Sequence, residues 1–268
     1  MDLQIQGKRA LVSGSTKGIG LAIAGTLAAE GAHVVINGRS QASVDAGLGE
    51  LRNDYPGVFA DGRPGIEGFV GDLSTAGDSG KLREAYPEFD IVVNNLGIFE
   101  PKPFEEIEDS EWTRFFEVNV LSGVRLSRQY VGGMKQRGWG RIVFISSESA
   151  VQVPTEMIHY GMTKTAQLAV SRGLAEHLAG TGVTVNSVLP GPTHSAGVDE
   201  FVKQVSGGQP FDEFEEEFFK TVRPSSLIKR FATTQEVANM VAYVCSPLAS
   251  ATTGAALRVD GGVLRSCV

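Results

Sequence analysis

A tyrosine and a lysine stand four residues apart in "HYGMTK", residues 159–164, and that spacing raises the first chemical question. On a helix, positions i and i+4 share a face, so the Lys164 ammonium can lie beside the ring or hydroxyl of Tyr160. A free tyrosine ionises near pH 10, and a neighbouring cation stabilises its phenolate. Bringing that ionisation to neutral pH takes roughly 4 kcal/mol and would make Tyr160 a general acid/base. An ordinary helix face would carry the same two residues, so the pair needs company. Ser147 and Glu148 sit near the end of "RIVFISSES", Asn94, Asn95 and Gly97 close "DIVVNNLG", and Thr193 follows "VLPGP". Each group lies just after an apolar run. His159, beside Tyr160, has no spaced carboxylate or cysteine to form a metal site, and reads as a substrate-pocket wall. Glu148 reads either as a substrate contact or as a solvated side chain.

The apolar runs are the elements that must position these groups. "RALVSG" (9–14), "HVVING" (33–38), "GFVGD" (68–72), "DIVVNN" (90–95), "RIVFISS" (141–147), "VTVNSVLPG" (183–191) and "ALRVDGG" (256–262) are strand candidates, with helical stretches between most of them. Strands that are apolar throughout and separated by helices predict a parallel sheet covered on both faces. The expected fold is α/β, a three-layer doubly wound sheet of about seven strands over residues 1–268, as one domain. In such sheets ligands bind at the carboxyl ends of the strands.

Two stretches break the rhythm. Residues 53–68, rich in Gly, Pro and Asp, read as a surface loop. Residues 194–225 carry "FDEFEEEFFK", with Phe211, Phe214 and Phe218 at helical spacing against acids, as in a lid helix or one packed on the body.

After the first strand, "SGSTKGIG" places Gly14, Gly18 and Gly20 where backbone N–H groups can approach a pyrophosphate at a helix N-terminus. The second strand ends at Gly38 and Arg39 without the acid that would bind ribose hydroxyls. Arg39, with Lys17 in the glycine turn, predicts NADP(H) over NAD(H).

The formal charge of −7 over 268 residues argues against a nucleic-acid partner. The two cysteines, Cys245 and Cys267, form no metal-spaced cluster, so reduced thiols and a metal-free site are expected in a cytoplasmic protein. No basic, apolar and small-residue leader opens the sequence, and no apolar run is long enough to span a membrane. A small-molecule partner is expected.

These motifs, in this order, resemble the single-domain short-chain dehydrogenase/reductase family over nearly the whole chain. "SGSTKGIG" is similar to that family's TGxxxGxG, "NNLG" (94–97) to its NNAG, "GDL" (71–73) to its adenine-contacting segment and "YGMTK" to YxxxK. "VNV" (118–120) holds its helix asparagine, "NSVLPGPT" (186–193) resembles NxVxPGxxT, and "RVDGG" its final strand. The resemblance implies a Rossmann fold that interconverts a ketone and a secondary alcohol with NADP(H). It makes Tyr160 the general acid/base, lowered in pKa by Lys164, with Ser147 on the substrate oxygen and Asn119 in a proton relay. It assigns cofactor contacts to Gly14, Ser15, Lys17, Gly18, Ile19, Gly20, Arg39, Asp72, Leu73, Asn95, Gly97, Tyr160, Lys164, Pro190, Gly191 and Thr193. Ser13 for threonine keeps a hydroxyl, whereas Leu96 for alanine adds bulk beside the adenosine half. A 3-oxoacyl thioester is the substrate type the resemblance suggests, against a sugar, polyol or xenobiotic carbonyl; a silent NADP-binding regulator would not need the relay. A homo-oligomer, dimer or tetramer, is also implied.

Overall fold

The computed structural model of the chain describes residues 2–59, 65–195 and 210–267. Every apolar run named above becomes a strand of one parallel sheet: β1 (Arg9–Val12), β2 (His33–Gly38), β3 (Ile66–Val70), β4 (Ile91–Asn94), β5 (Gly140–Ile145), β6 (Val183–Pro190) and β9 (Ala256–Val259). Their order is β3-β2-β1-β4-β5-β6-β9, while β7 (Thr193–His194) and β8 (Ala232–Thr233) pair separately.

The period-two geometry of a strand explains how continuous apolar runs serve two cores. Ala10, Val12, Val34, Ile36, Ile91 and Val93 point to one face, against α1 (Gly18–Ala29), α2 (Gln41–Asp54) and α8 (Thr234–Cys245). Their neighbours Leu11, Val35 and Val92, with Ile142 and Phe144, point to the other face, where α3 (Ala76–Ala85), α5 (Ser122–Arg137) and α6 (Ile158–His177) cover them. The three-layer doubly wound architecture is therefore present. β1 lies between β2 and β4, paired with β4 through Ala10–Ile91, Leu11–Val92 and Val12–Val93. That junction is the switch point of the strand order.

Helix starts are set by local chemistry. Ser40 caps α2 and Thr233 caps α8, each in a reciprocal capping box. α4 (Asp109–Phe116) runs through one π-helical turn, Glu117–Leu121, before α5 begins. That turn carries Asn119. Of the expected 53–68 loop, residues 60–64 lie outside the described residues; of the 194–225 segment, residues 196–209 do. Most of the rest of that segment is α7, Phe211–Thr221. Among the described residues no helix is long and apolar enough to cross a membrane.

α6 starts by packing His159 against α4. The imidazole is 1% exposed, its ring centroid 4.0 Å from Phe115 and 6.0 Å from Trp112, and neither ring nitrogen has a hydrogen-bond partner. Burial pushes its pKa below the ordinary value, opposed by the negative charges of Glu111 and Glu100. The unfolded chain then takes up a proton near pH 6.5 that the folded chain refuses until a lower pH. Stability from neutral His159 is fully present above about pH 6.5 and lost as pH falls toward the folded value. His159→Leu should flatten the stability slope between pH 7 and 5, by up to about 1.4 kcal/mol per pH unit, in urea denaturation series. Parallel slopes for the two proteins would show that His159 contributes no proton linkage.

Candidate active site

The glycine turn between β1 and α1 is held open by side chains of neighbouring strands. Asn37 Oδ1 accepts from the Gly14 amide at 3.1 Å, and its Nδ2 donates to the carbonyls of Phe69 and Gly71 at 3.3 and 3.0 Å. Asn95 Nδ2 donates to the carbonyls of Ser13 and Gly14 at 3.0 and 2.9 Å. Ser13 Oγ in turn accepts from the amides of Asn95 and Leu96, both at 3.0 Å. The serine hydroxyl thus ties the ends of β1 and β4 together.

The turn also requires glycine by position. Gly14 has φ +59°, and a Cβ there would lie 3.1 Å from Leu96 Cα. A Cβ on Gly20 would come within 2.5 Å of Asn95 Nδ2 and 2.7 Å of the Gly14 carbonyl. α1 starts without a side-chain cap at Lys17 and without an acid in its first turn. An uncapped helix N-terminus behind a glycine cradle suits a pyrophosphate, so the residues present fit a dinucleotide.

A cavity of about 790 Å³ opens beside the turn. Ile19, Asn95 and Gly97 line its inner end, Ser147, Glu148, Tyr160 and Lys164 one wall, and Pro190, Gly191 and Thr193 another. Phe214 and Phe218 of α7 and Phe231 also line the cavity, so this helix presents rings of its aromatic face to it.

Burial governs the ionisable groups here. The Lys164 side chain is 4% exposed, its Nζ donates to the Ile145 carbonyl at 2.9 Å, and burial brings its pKa down to about 8. Burial, aided by the charge of Glu148, pushes the Tyr160 pKa above the ordinary value, against a smaller lowering effect of the Ser147 hydroxyl. Lys164 Nζ lies 5.5 Å from the centre of the Tyr160 ring. The two share a face, but the causes that set the Tyr160 pKa are burial first, then Ser147 and Glu148; Lys164, expected to lower it, is not among them.

Ser147 Oγ donates to Glu148 Oε2 at 2.5 Å. Glu148, 5% exposed, also accepts from the Ser149 amide at 2.9 Å and from Arg223 Nε at 3.1 Å. Of the two readings of Glu148, the solvated one is excluded. Asn119 is buried just behind Gly97: its Oδ1 accepts from the Ile98 amide at 2.8 Å and its Nδ2 donates to the Ile98 carbonyl and Thr163 Oγ1, both at 3.0 Å.

Other expected residues fall elsewhere. The Ser15 hydroxyl turns inward, donating to the Val12 carbonyl and accepting from the Asn37 amide at 2.9 Å, so only its backbone faces the turn. Leu73 is buried in the sheet's second core. Asp72 follows β3 and accepts from Ser74 N and Oγ through Oδ1 at 3.0 and 2.6 Å. Arg39 is exposed just past β2, on the same carboxyl edge. His159 is not a pocket wall; it points into the α4 contact because its helix position faces away from Tyr160's. Among the described residues no cluster of His, Cys, Asp and Glu could hold a metal.

Sequence reasoning missed Asn37, Gln167 and Arg223. Asn37 was marked by being the one amide inside "HVVING". Gln167, 1% exposed, donates to the Asn119 carbonyl at 2.5 Å and lies 3.5 Å from Lys164 Nζ; its one-turn spacing from Lys164 was the available signal. Arg223 meets Glu148 across 75 residues, and nothing local announces that contact.

Residues 14–264 match the family described as enoyl-(acyl carrier protein) reductase. The uncharacterized oxidoreductase YvaG of Bacillus subtilis (strain 168) is 48% identical, with 99% of each chain covered. The 3-oxoacyl-[acyl-carrier-protein] reductase FabG of Aquifex aeolicus (strain VF5) is 33% identical over 98% of this chain and all of that one. Among solved structures, L-sorbose reductase from Gluconobacter frateurii, complexed with NADPH and L-sorbose, superposes with a TM-score of 0.88 at 31% identity, covering 99% of this chain and 100% of that one. The likeness extends from the glycine turn to the last strand in both sequence and fold, and on that basis this chain belongs to the short-chain dehydrogenase/reductase family of oxidoreductases.

Proposed function

We propose that the protein interconverts a ketone and a secondary alcohol with NADP(H), Tyr160 acting as general acid in reduction and as base in the reverse direction. The observation that carries the reading is the gathering of Tyr160, Ser147 and Lys164 around one cavity that Ile19 of the glycine turn also lines. NADP(H), when bound, supplies or accepts the hydride. A neutral, buried phenol is suited to give its proton to a carbonyl oxygen as that oxygen gains charge. Ser147, turned from Glu148 to the substrate, donates a hydrogen bond to the same oxygen. Lys164 holds a positive charge beside the Tyr160 ring and would also hold a ribose of the cofactor, and Asn119 and Gln167 fix its surroundings. Arg39 and the lack of an acid after β2 support a 2′-phosphate, and NADPH is the nucleotide in the L-sorbose reductase complex. Small-molecule carbonyl compounds are the substrates of this reading.

Tyr160→Phe should lower kcat for ketone reduction by at least about a hundredfold. NADPH affinity, measured by fluorescence titration, should stay within roughly threefold; near-normal turnover would remove Tyr160 from the chemistry. Arg39→Asp should cut the NADPH-to-NADH ratio of kcat/KM by about tenfold or more, because a carboxylate replaces the cation at the phosphate. An unmoved ratio means that other groups read the phosphate. Lys164 is charged below about pH 8 and neutral above it, so kcat/KM for reduction should fall as pH rises through that value. Lys164→Arg, which keeps its charge, should move that alkaline limb upward; an unshifted limb would assign it to another group.

A further inference from the structure

Resting on that reductase reading, we propose that the substrate is an uncharged ketone bearing a bulky apolar or aromatic substituent, and that the Glu148–Arg223 pair excludes anionic ketones. Beyond the hydroxyls of Ser147 and Tyr160, the cavity is walled by Phe99, Met157, Phe214, Phe218, Val222 and Phe231. The rings form two groups around the cavity: Phe218 lies 5.0 Å from Phe231 and 5.9 Å from Phe214, and Phe99 lies 6.3 Å from Tyr160. Phe99 and Val222 are 51% and 44% exposed at this wall, so an apolar substituent would remove their surface from water. Hydroxyl groups along the same wall would lose hydrogen bonds to water without regaining them.

Arg223 is the cation that an anionic substituent would seek, and it is already engaged. Its Nε donates to Glu148 Oε1 at 3.1 Å, and its Nη1 lies 3.8 Å from Glu156 Oε1; the Arg223 and Glu148 side chains are 11% and 6% exposed. Glu148 cannot swing aside for a competitor. Its other oxygen is held by the Ser149 amide at 2.9 Å and Ser149 Oγ at 3.2 Å, two donors that stay in place when Ser147 turns to a substrate. A substrate carboxylate at Arg223 would face this fixed negative charge in a poorly solvated site.

The test measures NADPH oxidation by the full-length protein with benzylacetone, its para-carboxylated analogue, L-sorbose and a neutral 3-oxoacyl N-acetylcysteamine thioester. The expected result is a kcat/KM at least about tenfold higher for benzylacetone, the thioester or both than for the carboxylate and the sugar. The aryl and acyl arms distinguish two sources of the same apolar chemistry. Glu148→Gln frees the Arg223 charge and should raise the carboxylate-to-benzylacetone ratio by about tenfold; a ratio cancels any general loss of rate. Should that variant fail to fold, the wild-type matched pair decides. Preference of the wild-type protein for the carboxylate or L-sorbose overturns the substrate class and leaves the reductase reading standing. An unchanged ratio in a folded Glu148→Gln overturns the exclusion by the ion pair. NADPH binding without turnover of any ketone overturns the reductase reading itself, and this inference with it.

Discussion

The parallel pairing of β1 with β4 is the constraint on which the site depends. β1 already has β2 on its other side, so the chain must leave the β3 edge and cross back over the sheet to reach β4. α1 then lies on one face, whereas the helices after β4 include α5 on the other. Between two strands whose connections depart in opposite directions, the carboxyl ends are left uncovered. Ser13 and Asn95 close the floor of that crevice by binding the two strand ends to each other, and Asn37 extends the same bracing to the glycine turn. The glycine turn and the cavity beside it therefore share one edge of the sheet.

Within the crevice, burial acts on Tyr160 and Lys164 in opposite directions. It raises the Tyr160 pKa and lowers that of Lys164, so both groups are driven toward their neutral forms. The cation and the phenol meet ring to ammonium, and Nζ spends its strongest hydrogen bond on the Ile145 carbonyl, not on the tyrosine hydroxyl. A neutral tyrosine that holds its proton until a negative oxygen develops beside it is a better acid than one already ionised. Ser147, on the same cavity, bonds to the Glu148–Arg223 pair, which anchors the segment after α7 to the strand end that carries the serine. The chemistry and the substrate wall are thereby coupled through two hydrogen bonds.

The seven strands were legible because a parallel sheet buried on both faces leaves an unmistakable trace, apolar runs without alternation. That Tyr160, Ser147 and Lys164 would share one cavity was legible because the first and last are one helical turn apart and the serine ends a strand. His159 was misplaced because two neighbours on a helix diverge by about 100°, and which of them faces the pocket depends on how α6 meets α4. The inward bonding of the Ser15 hydroxyl to the protein's own backbone was not legible, because it depends on where β2 lies beside β1. Asn119 was identified from its motif, but not the π-helical turn that carries it, since a single extra residue per turn leaves no periodic signature.

By itself, then, the amino-acid sequence determined what depends on neighbours along the chain: the strand runs, the glycine turn, the four-residue spacing of Tyr160 and Lys164, and the absence of an acid beside Arg39. Those features follow from backbone geometry and residue chemistry, which act over a few residues. Tertiary structure alone decided which way the pKa values move, which oxygen Ser147 addresses, and that Arg223 spends its charge on a carboxylate 75 residues away. Desolvation and ion pairing depend on distance through space and on the water excluded between groups, and neither quantity is written in the order of residues.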